Sequence, residues 1–63
     1  MPILTVEGPA VADLEKKRKF VAETSRAAAE LFSMPVESIV VILKENDPSN
    51  VGVGGTLVSD RNV

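Results

Sequence analysis

Five consecutive aliphatic residues, Ile39-Val40-Val41-Ile42-Leu43, constrain this chain more than any other feature. A strand without polar alternation is one buried on both faces, as in a parallel sheet. Yet the chain has only 63 residues, and a domain that short buries only about 60% of the surface its unfolded form exposes. Domains of this size are usually held by disulfides, metals or oligomerisation. Cysteine and histidine are both absent. That removes disulfides, thiol chemistry, the commonest metal ligand and the commonest general base near neutral pH. Oligomerisation is the remedy left. Composition agrees, because 44% of residues are hydrophobic while only Phe20 and Phe32 are aromatic. Such an aliphatic chain has surface left to bury against other subunits.

Around the central run the order of elements is legible. Ile3-Leu4-Thr5-Val6 is a short β-branched run ending at Glu7-Gly8-Pro9, a strand closed by a turn. From about Val11 to Phe32 the composition is rich in Ala, Leu, Glu and Lys, a helical pattern. Its apolar stripe is Phe20, Val21, Thr24, Ala27, Ala28, Leu31 and Phe32. Pro35 ends it, since proline disfavours helical geometry in the residue before it. After the 39–43 strand, Glu45 to Asn50 is a loop by its turn chemistry. Val51 to Val58 holds two short apolar arms about glycines, a small hairpin. The tail from Ser59 to Val63 carries no signal. The expected subunit is therefore α+β, a β-α-β unit with a C-terminal β-hairpin and a right-handed crossover, forming one domain over 1–63. One helix covers one face of such a sheet. The other face must find a partner subunit.

Charge narrows the function. A formal net charge of −2 argues against nucleic-acid binding, which needs a basic patch. The run Lys16-Lys17-Arg18-Lys19 is diluted by Asp13, Glu15 and Glu23 and lacks interleaved aromatics, so it reads as a solvated helix face. No apolar stretch approaches the roughly 20 residues of a membrane span, and no signal-peptide pattern opens the chain. A soluble, cytoplasmic protein is expected. Serine without a histidine or cysteine partner is inert, and Glu7, Glu37, Glu45 and Asp47 lie near predicted turns. Gly52-Val53-Gly54-Gly55 resembles the opening of a dinucleotide fingerprint, but position 57 is leucine and no helix follows to hold a phosphate.

Pro2 remains. Initiator methionine is generally removed before a small residue, and its removal converts the Pro2 nitrogen from an amide into a secondary amine. An α-amine titrates near ~7.7–8.0, so about a tenth is free base at pH 7. Desolvation or nearby cations lower that value toward the optimum for a general base. A nitrogen at the start of a strand is also fixed in direction.

Pro2-Ile3 opening a strand, a long helix, an apolar strand ending in Lys44-Glu45, and the segment Val51-Gly52-Val53-Gly54-Gly55 together resemble the 4-oxalocrotonate tautomerases. The resemblance covers nearly the whole chain. It implies a β-α-β subunit assembled into a homo-oligomer, usually a hexamer built as a trimer of dimers. It also implies that the amino-terminal proline moves a proton between an enol oxygen and a carbon of an α-keto acid, without a cofactor. The chain departs from the family pattern at three places. The family's best-studied members carry an arginine just after the first turn, where Gly8-Pro9-Ala10-Val11-Ala12 has no cation. A second arginine on the central strand aligns with Val40, and the aromatic wall before the first hairpin glycine aligns with Val51. The sequence resembles more closely a shorter, arginine-poor branch of the family. Pro2 alone keeps its chemistry, while Val51 keeps an apolar wall.

Other cations are candidates to replace the arginines as carboxylate anchors. Lys44 shares a strand face with Val40 but lies four residues on, about 13 Å away. Arg61, on the tail, is a candidate to lie over a neighbouring subunit's pocket. Lys17 falls in the middle of the helix's apolar stripe, and a lysine there either snorkels past the end of the stripe or reaches an interior site. The expected activity is a keto–enol tautomerase acting on small enol or α-keto acids, with Pro2 as catalytic base and Val51, Lys44 and Arg61 as substrate contacts. No metal, nucleic acid or membrane partner is expected. The alternative is a non-catalytic oligomeric binding or scaffold subunit of the same fold.

Overall fold

The computed structural model describes residues 1–61; residues 62 and 63, the end of the expected 1–63 domain, lie outside the described residues. Strand β1, Ile3–Pro9, leads through a short loop to helix α1, Leu14–Phe32. A 3-10 turn at Val36–Ser38 precedes strand β2, Val40–Asn46. A second 3-10 turn, Pro48–Asn50, leads to a hairpin of β3, Gly52–Val53, and β4, Thr56–Leu57, followed by a third at Val58–Asp60. β1 and β2 pair in parallel, from Ile3 opposite Val40 to Pro9 opposite Asn46. The β-α-β unit with its C-terminal hairpin is thus present.

Both long strands run further than the hydrophobic pattern implies. Glu7-Gly8-Pro9 does not turn; it continues the ladder beside Lys44-Glu45-Asn46. Pro9 is tolerated because β1 is an edge strand, where a missing N–H on the outer side costs no ladder bond. Helix α1 starts three residues later than Val11, for a local reason. The Asp13 carboxylate accepts the backbone N–H groups of Glu15 and Lys16, at 3.0 and 3.3 Å, and caps the first turn. At the other end Ser33 adopts a left-handed conformation with φ 52°, closing the helix as a C-terminal cap. In the hairpin Gly54 and Gly55, at φ 61° and 85°, supply the two positive-φ residues that a tight two-residue turn needs.

Alternation fixes the two faces of the sheet. Leu4, Val41 and Leu43 are half-buried, on the side of α1. Ile3, Thr5 and Ile42 point the other way, with Ile3 56% and Ile42 40% exposed. The helix surface against the sheet is narrower than the expected stripe and centred on small residues. Ser25 and Ala28 are buried, Ala28 at 4% exposure, flanked by half-buried Lys17, Val21 and Thr24. Phe20, Phe32 and Leu31, the last 76% exposed, lie outside it. A two-stranded sheet is too narrow to cover the whole stripe.

The subunit is accordingly extended, 44 × 23 × 15 Å with a radius of gyration of 15.2 Å, where a compact chain of this length has about 11 Å. Its accessible surface is 4972 Å², against roughly 3,900 Å² for a folded monomer of this mass. No helix among the described residues is long and apolar enough to cross a membrane.

Candidate active site

Pro2 sits immediately before β1, half-buried. Its carbonyl accepts the backbone N–H of Val40 at 3.0 Å, so the Pro2–Ile3 peptide is tied to the start of β2. The segment feeding β2 is itself fixed at this end. Ser38 and Ile39 donate to the carbonyls of Pro35 and Val36, at 3.0 and 3.1 Å. The position of Pro2 is therefore anchored by backbone bonds, with no side chain involved.

The opposite end of the sheet is organised by side chains. The Lys17 ammonium donates to Glu45 Oε1 at 2.7 Å, with the two side chains 27% and 32% exposed. Glu45 Oε2 accepts the backbone N–H of Val11. One carboxylate thus joins the helix, the β1–α1 loop and the end of β2. The Lys17 hydrogen bond, then the Val11 N–H, hold the Glu45 carboxyl below its ordinary range, against a smaller opposing effect of burial. Beside it, Asn46 Nδ2 donates to Glu7 Oε2 at 2.8 Å. Asp47 Oδ1 accepts the Ser49 backbone N–H at 2.9 Å and its hydroxyl at 2.7 Å, and these two bonds lower the Asp47 carboxyl.

Two openings flank this end. The larger, about 430 Å³, lies between the first turns of α1 and the ends of the strands, with Val6, Val11, Phe20 and Leu43 among its walls. The smaller, about 310 Å³, lies among Gly8, Pro9, Asn46, Pro48, Val51 and Val58.

The expected site residues divide between the two ends. Lys44 stands opposite Glu7 in the ladder, five residues along from Pro2, or roughly 16 Å at ~3.3 Å per residue. Val51 is half-buried beside Gly8 and Pro9, its carbonyl accepting the Val58 N–H at 2.8 Å. Arg61 is exposed and donates its backbone N–H to the Val58 carbonyl at 3.1 Å, which closes the turn after β4. Val51, Lys44 and Arg61 therefore follow the far ends of the strands, and a single subunit does not bring them to its own Pro2. The Glu45–Val11 contact has no signature in the sequence. Lys17 has one, because a lysine in an apolar stripe requires a partner or an exit, and its partner is Glu45.

A family model described as tautomerase enzyme matches residues 2–61. The chain belongs to the tautomerase family. Among solved structures, a 4-oxalocrotonate tautomerase homologue superposes with a TM-score of 0.89 at 33% identity, each chain covered completely. DmpI from Archaeoglobus fulgidus is 42% identical, with a TM-score of 0.79 over 94% of this tautomerase chain and 100% of its own. The heterohexamer 4-oxalocrotonate tautomerase from Chloroflexus aurantiacus is 26% identical, with a TM-score of 0.82 over 98% and 100%. No curated protein matches the chain. The fold and the 4-oxalocrotonate tautomerase kinship expected from the Met-Pro start and the glycine hairpin are both borne out.

Proposed function

We propose that this tautomerase-family chain is an isomerase that ketonises small enol or α-keto acids, with the Pro2 amine, freed by removal of Met1, as general base. The observation that carries the reading is the 3.0 Å bond from Val40 N–H to the Pro2 carbonyl. It anchors the residue that carries the nitrogen to the start of β2 at a half-buried position, which supports the reading of a positioned base. The step is a proton shuttle. The free amine takes the enol hydroxyl proton while the oxygen lone pair forms the carbonyl and the carbon–carbon double bond shifts. The resulting ammonium returns the proton to carbon, so the amine is regenerated and no cofactor enters the balance.

Substrate contacts from Val51, Lys44 and Arg61 belong to the same reading. Because these lie at the other end of their own sheet, they would act on the Pro2 of a neighbouring subunit. A homo-oligomer, of the hexameric kind, is supported by the bare Ile3–Ile42 face and the excess accessible surface. The heterohexameric relative from Chloroflexus aurantiacus supports it too.

The test uses tag-free protein whose mass shows whether Met1 is present. Processed protein is expected to ketonise simple enols such as 2-hydroxymuconate or phenylenolpyruvate weakly, with a high KM, since neither of the two arginine positions of the family pattern holds an arginine here. The pH profile of kcat/KM is expected to rise through one ionisation below the usual α-amine range. Rates equal to buffer across a panel of enol and keto acids would replace this reading with the non-catalytic binding subunit.

A further inference from the structure

We infer that Asn46 is a positioning residue: it holds the Glu7 carboxylate away from Lys44 and so keeps the Lys44 ammonium open to a substrate carboxylate. The inference rests on the proposed reading of Lys44 as a substrate contact, and it names the residue that governs that contact. Lys44 stands directly opposite Glu7 in the parallel ladder. Neighbouring strands lie only ~4.8 Å apart, so two long side chains of opposite charge are within reach of each other. Alternation puts both on the bare face, with Ile3, Thr5 and Ile42. The register invites a Glu7–Lys44 ion pair, and none forms. The ion pairs among the described residues are Lys17–Glu45 and Arg18–Glu15. Glu7 Oε2 instead accepts Asn46 Nδ2 at 2.8 Å.

The reason lies one rung further on. Asn46 is opposite Pro9, whose ring offers no hydrogen-bonding group, so the half-buried Asn46 amide turns back to the Glu7 carboxylate. An amide left partly buried without a partner is costly, whereas an exposed ion pair is worth little, and the amide wins. Glu7 is the one acid that alternation places on the bare face of the two strands. With Glu7 engaged, no carboxylate of that face competes for Lys44. Lys17 shows the closed form of the same choice at the same end of the sheet, its ammonium already on Glu45 Oε1 at 2.7 Å. An uncommitted ammonium takes a ligand carboxylate without first giving up an internal partner, which lowers the cost of binding.

The test is a double-mutant cycle on the tag-free, assembled protein. It is read by steady-state kinetics with 2-hydroxymuconate and by the NMR shift of Lys44 Nζ, assigned with Lys44→Met. Asn46→Ala frees Glu7 to pair with Lys44. KM is expected to rise by up to about fivefold, the weight of an exposed ion pair, with kcat unchanged. The Lys44 Nζ shift is expected to move with it. Adding Glu7→Gln to Asn46→Ala leaves no carboxylate to pair, so KM and the Nζ shift are both expected to return to wild type. A merely structural Asn46 would not be rescued in this way, so a raised KM that Glu7→Gln fails to reverse overturns the inference. An unchanged KM or an unchanged Nζ shift in Asn46→Ala overturns it as well, as does a wild-type KM in Lys44→Met. Absence of turnover in the wild type is instead the failure of the Pro2 reading. The Nζ shift then decides alone: movement in Asn46→Ala and return in the double variant support the hold on Glu7, and a constant shift overturns it.

Discussion

The two ends of the parallel sheet are built on different principles. At the proline end, position is set by the backbone, through the Pro2 carbonyl on Val40 N–H and the 3-10 turn that delivers β2. At the far end it is set by side chains, with Glu45 holding both Lys17 and Val11 and Asp13 capping the helix. A backbone-set site is indifferent to most side-chain substitutions but wholly dependent on what is attached to its nitrogen. A side-chain-set site is the reverse: each contact is removable by one substitution, and each carries charge that responds to pH. Roughly 16 Å separates Pro2 from Lys44, so the two ends of one subunit do not form one site.

The largest effect is expected from the nitrogen itself. Retaining Met1 makes it a tertiary amide without a usable lone pair, and ketonisation is expected to fall to background with the assembly unchanged. Pro2→Ala keeps a free amine but loses the ring, and is expected to cost about 10²-fold or more in kcat/KM. Equal turnover by the Met1-retaining form, with its mass confirmed, would end the Pro2 reading. Next in size is the link between the ends. Ile42→Glu places a charge on the bare face, where burial against a partner would cost several kcal/mol. Light scattering is expected to show the hexamer lost, and activity lost with it although Pro2 is intact, as the proposed joining of the two ends across subunits requires. A stable, active species near the 6.7 kDa chain mass would sink the assembly.

How much of this was legible in the sequence follows the same division. The β-α-β order, the glycine turn and the bare sheet face were readable because they depend on hydrophobic runs, on Pro35 and on paired glycines, all local signals. The strand ends were not. Glu7-Gly8-Pro9 has the composition of a turn, yet it pairs with Lys44-Glu45-Asn46, because a strand extends as far as its partner offers a ladder. The helix start was displaced by one side chain, since Asp13 caps where the composition alone still reads helical. Of the buried helix line, Val21, Thr24 and Ala28 stood in the expected stripe and Lys17 in its middle, and Ser25 lay outside it; the pattern did not show that the larger stripe members, Phe20, Leu31 and Phe32, stay exposed. Those residues serve surface that the sheet does not cover. Of the candidate site, Pro2 is proposed from its place in the chain, whereas the Glu45 network joins residues 28 and 34 positions apart and leaves no trace in local pattern.

Smaller effects test the helix ends, one at each end of the sheet, with opposite signs. Asp13→Ala removes the cap at the far end and is expected to cost about 1 kcal/mol, seen as a lower denaturation midpoint at unchanged m-value. Ser33→Gly, at the proline end, relieves a left-handed serine at φ 52° and is expected to gain about 0.5 kcal/mol or more, because glycine adopts that conformation without a Cβ clash. A loss of stability in Ser33→Gly would show that the serine side chain contributes something beyond the cap.

The smallest expected effect, and the sharpest on the comparison, is acid sensitivity. The Glu45 carboxyl lies below its ordinary value of 4.5, through Lys17 first and Val11 second. A depressed folded value means the folded state binds fewer protons than the unfolded one. The contribution is therefore fully present above pH 4.5 and is lost as pH falls through the depressed value. Asp47 behaves likewise below its ordinary 3.8, through Ser49. Both groups are largely solvated, so the global change is small, and a local probe is needed. Amide exchange supplies one at each end: Val11 N–H is bonded to the Glu45 carboxylate, and Val40 N–H to the Pro2 carbonyl. After correction for the intrinsic pH dependence of exchange, protection at Val11 is expected to fall on acidification from pH 5 to pH 3, while protection at Val40 holds. Glu45→Gln is expected to flatten the Val11 response, since an amide acceptor has no proton to gain. Parallel loss of protection at Val11 and Val40 would mean that acid opens the whole subunit, and that the two ends are not independently held.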